Sequence, residues 1–223
     1  MAVVNDRHKF VFFHLYKCGG NSIRTTLKNA GINDSIHLLG PHSFPRDIKY
    51  HYEVRGQDHI DRFKEMFKFT FVRNPFDFLL STYCYAKVVK SHFWHQEVAN
   101  MEFKDFPKFY MSEVERFATS RVEGMEDFVL TGISHGRSEV TTPYEWVRDE
   151  NGEIMMDFVG KLENIDEDMK FVLKRLGKTP IIVPRENVNK HNDKPYREMY
   201  DATTRAYVEK HFEKDLNYFN YEF

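Results

Sequence analysis

Lys17, followed by Cys18, Gly19, Gly20 and Asn21, has the composition of an anion site. Two adjacent glycines allow backbone angles and close approaches that a side chain would block. A glycine loop that opens a helix presents unpaired N–H groups and the positive end of the helix dipole, a setting that suits phosphate or sulfate. Lys17 adds a full charge at the mouth of that loop. The order of residues differs from a Walker A loop, GxxxxGK[ST], whose lysine follows its glycines; here Lys17 precedes them. The same residues also fit an ordinary strand–turn–helix with a solvated lysine, and the loop alone leaves both readings open.

A second cationic turn lies in Phe67 to Lys90, FKFTFVRNPFDFLLSTYCYAKVVK. Arg73 ends an apolar strand, at the carboxyl edge where open α/β sheets bind ligands. Ser81 follows two turns into the next helix. Arg73 could instead pair with a local carboxylate, and Ser81 could be a neutral surface position. Among the histidines, His42 sits in a loop broken by Gly40, Pro41 and Pro45, with His51 and His59 close behind in sequence. His92, His95 and His135 lack the paired spacing of a zinc site, so no metal is assigned.

These groups need elements to hold them. Phe10 to Phe13 is a short apolar run of the kind that forms a strand buried on both faces. Ser22 or Asn21 can cap the helix that follows, with Gly31 as its stop. Ile36 to Leu39 has the pattern of a second strand. Asp58 to Phe67 has helical spacing with Asp58 as cap. Phe67 to Val72 reads as a strand, after which Asn74 caps and Pro75 starts a helix burying Phe76, Leu79, Leu80 and Tyr83. Repeated strand–turn–helix units predict a βαβ-type parallel sheet.

Ser91 to Arg137 is aromatic and irregular. Ser112 to Phe117 and Met125 to Leu130 read as parts of a helical insertion. Residues 143 to 159 have the look of a hairpin turning at Asn151-Gly152, with a strand from Ile154 to Val159. Acidic residues at Asp166, Glu167 and Asp168 open a helix that stops at Gly177. Ile181 to Val183 is expected as another strand, Arg185 to Tyr196 as a polar loop, and Asp201 as the cap of a final helix to about Phe212. No repeat or linker interrupts the 223 residues, and one domain spanning 1–223 is expected.

Composition bounds the function. The hydrophobic fraction is 41%, the charged fraction 30% and the net charge −2. That balance argues against bulk electrostatic binding to nucleic acid or an anionic membrane. No apolar run approaches the roughly 20 residues needed to span a bilayer. MAVVNDRHK lacks the apolar core of a signal peptide, and the two cysteines, Cys18 and Cys84, are expected as reduced thiols. Cytoplasmic residence is the resulting expectation. Oligomeric state is not encoded in any pattern found.

Taken together, the pieces resemble the PAPS-dependent sulfotransferases, in the branch that contains the carbohydrate sulfotransferases. HLYKCGGNSI is similar to that family's phosphosulfate loop, and FTFVRNPFDFLLS to its phosphate motif. FVGKLENIDED, NVNKHND and KDLNYFNYEF resemble later landmarks in the same order. The resemblance implies an α/β fold, a P-loop-like three-layer sandwich with a central mainly parallel sheet flanked by helices. It implies 3′-phosphoadenosine 5′-phosphosulfate as donor and an acceptor hydroxyl, that of a saccharide. The amides of Gly19, Gly20, Asn21 and Ser22 would cradle the 5′-phosphosulfate, Arg73 and Ser81 would hold the 3′-phosphate, and Asn189 and Lys190 would close over the nucleotide. Lys17 would neutralise charge on the bridging and leaving oxygens, and His42 matches the position of the base, with His51 and His59 as runners-up. Two departures stand out: Asn21 replaces a Thr or Ser, and Phe78 replaces an Arg. The competing functions are a P-loop-type nucleotide or small-molecule kinase and a non-catalytic nucleotide-binding protein that retains the fold.

Overall fold

A computed structural model describes residues 2–34, 36–38, 44–123, 140–149, 151–186 and 194–223. Its centre is a five-stranded sheet in the order β3-β1-β2-β4-β5. The strands are β1 (Ala2–Asn5), β2 (Phe10–Phe13), β3 (Ile36–Leu38), β4 (Phe67–Val72) and β5 (Phe158–Lys161). β2, β4 and β5 are parallel neighbours, while β1 runs antiparallel to both β2 and β3. Four of the five strands therefore point the same way, with β1 reversed between them. The register places Ala2 opposite both Phe13 and Leu38, so β2 and β3 end at one edge of the sheet.

Helices cover both faces, as expected of a three-layer α/β sandwich. Alternation along the strands assigns Val3, Phe10, Phe12, Phe69 and Phe71 to one face. There they meet Ile23 and Leu27 of α1 (Gly20–Asn29) and Met169, Val172 and Leu173 of α8 (Ile165–Arg175). The opposite face, with Val4, Val11, Phe13 and Val72, packs on α2 (Pro45–Glu53), α3 (Gln57–Glu65) and α4 (Pro75–Val88). Beyond α4 lie α5 (His95–Val98), α6 (Phe106–Glu123) and α7 (Pro143–Val147), then α9 (Ala202–His211) and α10 (Glu213–Phe219) near the end of the chain. Phe10 to Phe13 are at most 1% exposed, as a strand covered on both sides must be. Among the described residues, no helix is long and apolar enough to cross a membrane.

Local signals govern several helix ends, though α3 opens at Gln57 behind Gly56 rather than with Asp58 as its cap. Asn74 accepts a hydrogen bond from the Phe76 amide through its side chain, with Pro75 in the first helical position. Asp201 does the same for Thr204 at α9. At Gly31 and Gly177 the chain leaves α1 and α8 through paired closing bonds, Ile32 N to Leu27 O (3.0 Å) and Lys178 N to Leu173 O (2.8 Å).

Several expectations need correction. The Ala2–Asn5 strand carries no strong pattern of its own and forms because β2 and β3 pair with it from either side. Pro45 starts α2 rather than extending a loop, since proline at the first helical turn gives up no needed N–H. The expected hairpin shrinks to a single bridge, Arg148 to Ile154, around the Asn151-Gly152 turn. Pro143 takes the first position of α7, whose cap is the Thr142 hydroxyl, and β5 begins only at Phe158. Ile181 to Val183 forms no strand. The Val183 amide instead donates to Asp166 Oδ1 at the start of α8 (3.4 Å), and Val183 fills a gap in the core under α1 and α8. The Met125 to Leu130 stretch and His135 lie outside the described residues.

Candidate active site

The carboxyl edge of the parallel strands gathers the chemistry. The loop Leu15 to Gly19 leaves β2 there, Arg73 and Asn74 follow β4, and Leu162 and Glu163 follow β5. Gly19 takes a left-handed backbone (φ 76) and serves as the N-cap of α1, without a side-chain cap. This corrects the expectation of a cap by Asn21 or Ser22. The first rung of α1 is Ile23 N to Gly19 O (3.1 Å), so the amides of Gly20, Asn21 and Ser22 precede the helical ladder. The two glycines are sterically required. A Cβ on Gly19 would stand 2.5 Å from Leu162 Cδ1, and one on Gly20 would collide with the imidazole of His14.

Ser22 spends its hydroxyl elsewhere. Its Oγ accepts from the Glu186 amide (3.0 Å), while Thr25 Oγ1 donates to the Glu186 carboxylate (2.7 Å). Arg185 pairs with Asp166 (2.5 Å). The chain at 185–186 is thus pinned to the start of α1 and of α8, immediately before the stretch that carries Asn189 and Lys190. Those two residues lie outside the described residues, as does His42.

Arg73 reaches the same loop. Its Nε and Nη2 donate to Asp77 Oδ2 (2.8 and 2.7 Å), and its Nη1 donates weakly to the Lys17 carbonyl (3.4 Å). The local carboxylate is real, therefore, and it orients the guanidinium. A guanidinium carries five N–H donors, so the pair with Asp77 does not exhaust it. The turn behind Arg73 is clamped. Glu163 accepts from the Asn74 amide (2.7 Å) and from the Tyr221 hydroxyl (2.8 Å), and Asn74 Nδ2 donates to the Glu222 carbonyl (2.8 Å). Sequence spacing does not reveal Glu163, because its partners are 89 and 58 residues away.

Asp77, Ser81 and Tyr85 repeat every four residues and so share one stripe of α4. Lys17 lies along this stripe, with its ammonium 4.0 Å from the centroid of the Tyr85 ring and its carbonyl near Arg73. Ser81 is buried on the same stripe, one turn after Asp77 and one turn before Tyr85. Phe78, the departure from the family pattern, is a core residue packed edge-on against Tyr110 (5.8 Å).

Lys17 has a left-handed backbone of its own (φ 57), a strained state for a residue with a side chain. Among the described residues its ammonium makes no ion pair. Burial, reinforced by the neighbouring Arg73 charge, lowers its pKa from 10.5 to about 8. A lysine whose folded pKa is depressed costs stability while it stays charged. The cost is complete below about pH 8 and fades towards pH 10.5, where the unfolded chain also deprotonates. Lys17→Met is therefore expected to stabilise the ligand-free protein by about 2 kcal/mol at pH 7. Urea denaturation of both proteins between pH 7 and 10.5 checks this, and the gain must shrink as pH rises.

His51 and His59 are not at this edge. His59 packs near Tyr52 (6.4 Å), Tyr52 reaches Met66 just before β4 begins, and His51 of α2 pairs with Arg55 just past the end of that helix. They therefore border the amino ends of the parallel strands. Sequence reasoning considered His92 only as a zinc ligand and did not place it, or His14 beside Gly20, at this edge. His92 lies between α4 and α5, bonds Tyr16 Oη through Nε2 (3.0 Å) and meets the Tyr85 ring edge-on (5.6 Å).

A lysine, an oriented arginine and an open helix terminus can hold a polyanion and stabilise charge developing on it. The family comparison agrees with that chemistry. No curated protein and no solved structure matches the chain. A family model described as the sulfotransferase family matches residues 1–222, all but the last residue, and covers both cationic loops. The chain belongs to the sulfotransferase family.

Proposed function

We propose that this sulfotransferase takes its sulfuryl group from 3′-phosphoadenosine 5′-phosphosulfate and delivers it to a hydroxyl of a saccharide. The observation that carries the reading is the convergence of Lys17 and Arg73 beside the amide end of α1. In this reading the amides of Gly19, Gly20, Asn21 and Ser22 cradle the 5′-phosphosulfate. Arg73 and Ser81 hold the 3′-phosphate, one by its guanidinium fork and the other by its hydroxyl. Asn189 and Lys190 close over the nucleotide, just beyond the anchor at Glu186. The acceptor oxygen attacks sulfur, the bond from sulfur to the bisphosphate oxygen breaks, and the acceptor proton passes to His42. Lys17 neutralises the charge that appears on the leaving oxygen. The saccharide acceptor rests on the likeness of HLYKCGGNSI and FTFVRNPFDFLLS to the carbohydrate branch.

Thermal stability tests the donor. Adenosine 3′,5′-bisphosphate is expected to stabilise the fold by about 2.7 kcal/mol at ~100 times its dissociation constant. ATP at the same concentration should do much less, because it has no 3′-phosphate for Arg73 and Ser81. Equal stabilisation by the two nucleotides would favour the kinase reading.

A further inference from the structure

Lys17 has a physical problem that its loop does not solve. Its ammonium is largely withdrawn from water, stands near a second cation at Arg73, and has no carboxylate partner among the described residues. What it does have is the face of Tyr85 at 4.0 Å, against 5.9 Å to the ring of Tyr16. A ring face attracts a cation most strongly where water is scarce. Tyr85 is itself held in place. Tyr16 and His92 both meet it edge-on, at 6.2 and 5.6 Å between centroids. Tyr16 and His92 are joined through Oη and Nε2 (3.0 Å), and His92 Nδ1 accepts from the Trp94 amide (3.1 Å). With Nδ1 occupied as an acceptor, the neutral imidazole carries its proton on Nε2 and donates it to Tyr16.

We propose that Tyr85 is a positioning residue for Lys17, its ring face keeping the ammonium charged and at the mouth of the loop, with Tyr16 and His92 fixing the ring. The proposal rests on the reading of Lys17 as the cation that meets the leaving oxygen. The position of Tyr85 supports it: one turn beyond Ser81 on the stripe that begins at Asp77, opposite the loop rather than in the core. The other groups facing Lys17 are Arg73, Cys18 and Cys84. Both thiols are buried and neither is in a disulfide, and burial raises that of Cys18 well above its ordinary range, so it stays neutral while Lys17 titrates. Asp77 is engaged by Arg73.

The test compares Tyr85→Leu with Tyr85→Phe, which keeps the ring face and loses only the hydroxyl. Tyr85 is 39% exposed, and amide spectra of each variant establish that it is folded. The first readout is the Lys17 side-chain titration by NMR in the ligand-free protein, assigned with Lys17→Arg. In Tyr85→Leu the pKa is expected to fall by about half to one unit, a value between those of an exposed and a fully desolvated cation–π contact, and in Tyr85→Phe to stay at the wild-type value. The second readout is turnover, expected to fall about 3–10-fold in Tyr85→Leu and to recover in Tyr85→Phe, with the donor Michaelis constant little changed. An unchanged Lys17 titration in Tyr85→Leu, or a loss as large in Tyr85→Phe, overturns the proposal. The titration needs no donor or acceptor. A wild-type protein that fails to bind the bisphosphate would therefore sink the donor reading while the contact between Lys17 and Tyr85 is judged separately.

Discussion

Lys17→Ala is expected to slow sulfuryl transfer by about 10²–10³-fold, the scale of losing one preorganised group that meets developing charge. Donor affinity should change far less, because the contact strengthens as the bond from sulfur to the bisphosphate oxygen breaks. Arg73→Ala is expected to show the opposite division. Its proposed partner is a non-reacting phosphate, so the donor should bind about 10–100-fold more weakly, the range for a hydrogen bond to a charged group. Asp77 would lose its partner in the same variant, which makes Arg73→Lys, with a charge but no fork, the useful companion. Steady-state kinetics with varied donor separates the two effects. A Lys17→Ala enzyme altered only in its Michaelis constant would overturn the catalytic role. The pH dependence has a definite sign. With a pKa of about 8, Lys17 loses its charge as pH rises through that value in the free enzyme. The rate of transfer, rather than donor affinity, should fall above pH 8 in the wild type and stay level in Lys17→Arg, whose charge persists.

His42→Ala is expected to reduce transfer by about 100-fold or more, the usual scale for loss of a general base. Donor binding should remain near wild type, since the proposed phosphate contacts lie on the Lys17 loop, Arg73 and Ser81. The described residues that flank His42 in sequence lie towards the carboxyl edge. β3 ends at Leu38, in register with Ala2 and Phe13, at the edge where Lys17 and Arg73 emerge. Phe44, two residues after His42 in sequence, has its ring 6.4 Å from Trp146, and Trp146 in turn meets Phe13. His51 and His59 border the other edge. Transfer in the wild type should fall at low pH, as protonation of the imidazole removes the acceptor for the hydroxyl proton. Single-turnover transfer across pH, for wild type and His42→Ala, is the measurement. An undiminished rate would move the assignment to another group at the carboxyl edge, where the described residues place His14 and His92.

The parts of the site that sequence reveals are those encoded by near neighbours. A strand, a glycine pair and a helix can be read from Phe10 to Leu27 because hydrophobic runs, turn residues and caps act over a few residues. The same holds for Val72-Arg73-Asn74-Pro75, where cap and proline set the start of α4, and for the stops at Gly31 and Gly177. Even there, the sequence offered side-chain caps for α1, and the fold uses a left-handed Gly19 instead, with the Ser22 hydroxyl taken by the Glu186 amide.

What the folded chain adds comes from residues distant in sequence. Glu163 reaches Asn74 and Tyr221, and Glu186 reaches Ser22 and Thr25. Val183 abandons a strand to fill space beside α1 and α8. The strand at Ala2–Asn5 exists through its two partners, and no local propensity announces it. Arg73 and Asp77 are four residues apart and could have been paired on paper. Tyr85 beneath Lys17 could not, since 68 positions separate them and only the packing of α4 against the loop after β2 brings them together. Local spacing specifies turns and helix ends through short-range sterics and hydrogen bonds. Which distant ring or carboxylate stands beside a charge is set by how the layers close over the sheet, and that depends on the whole core at once.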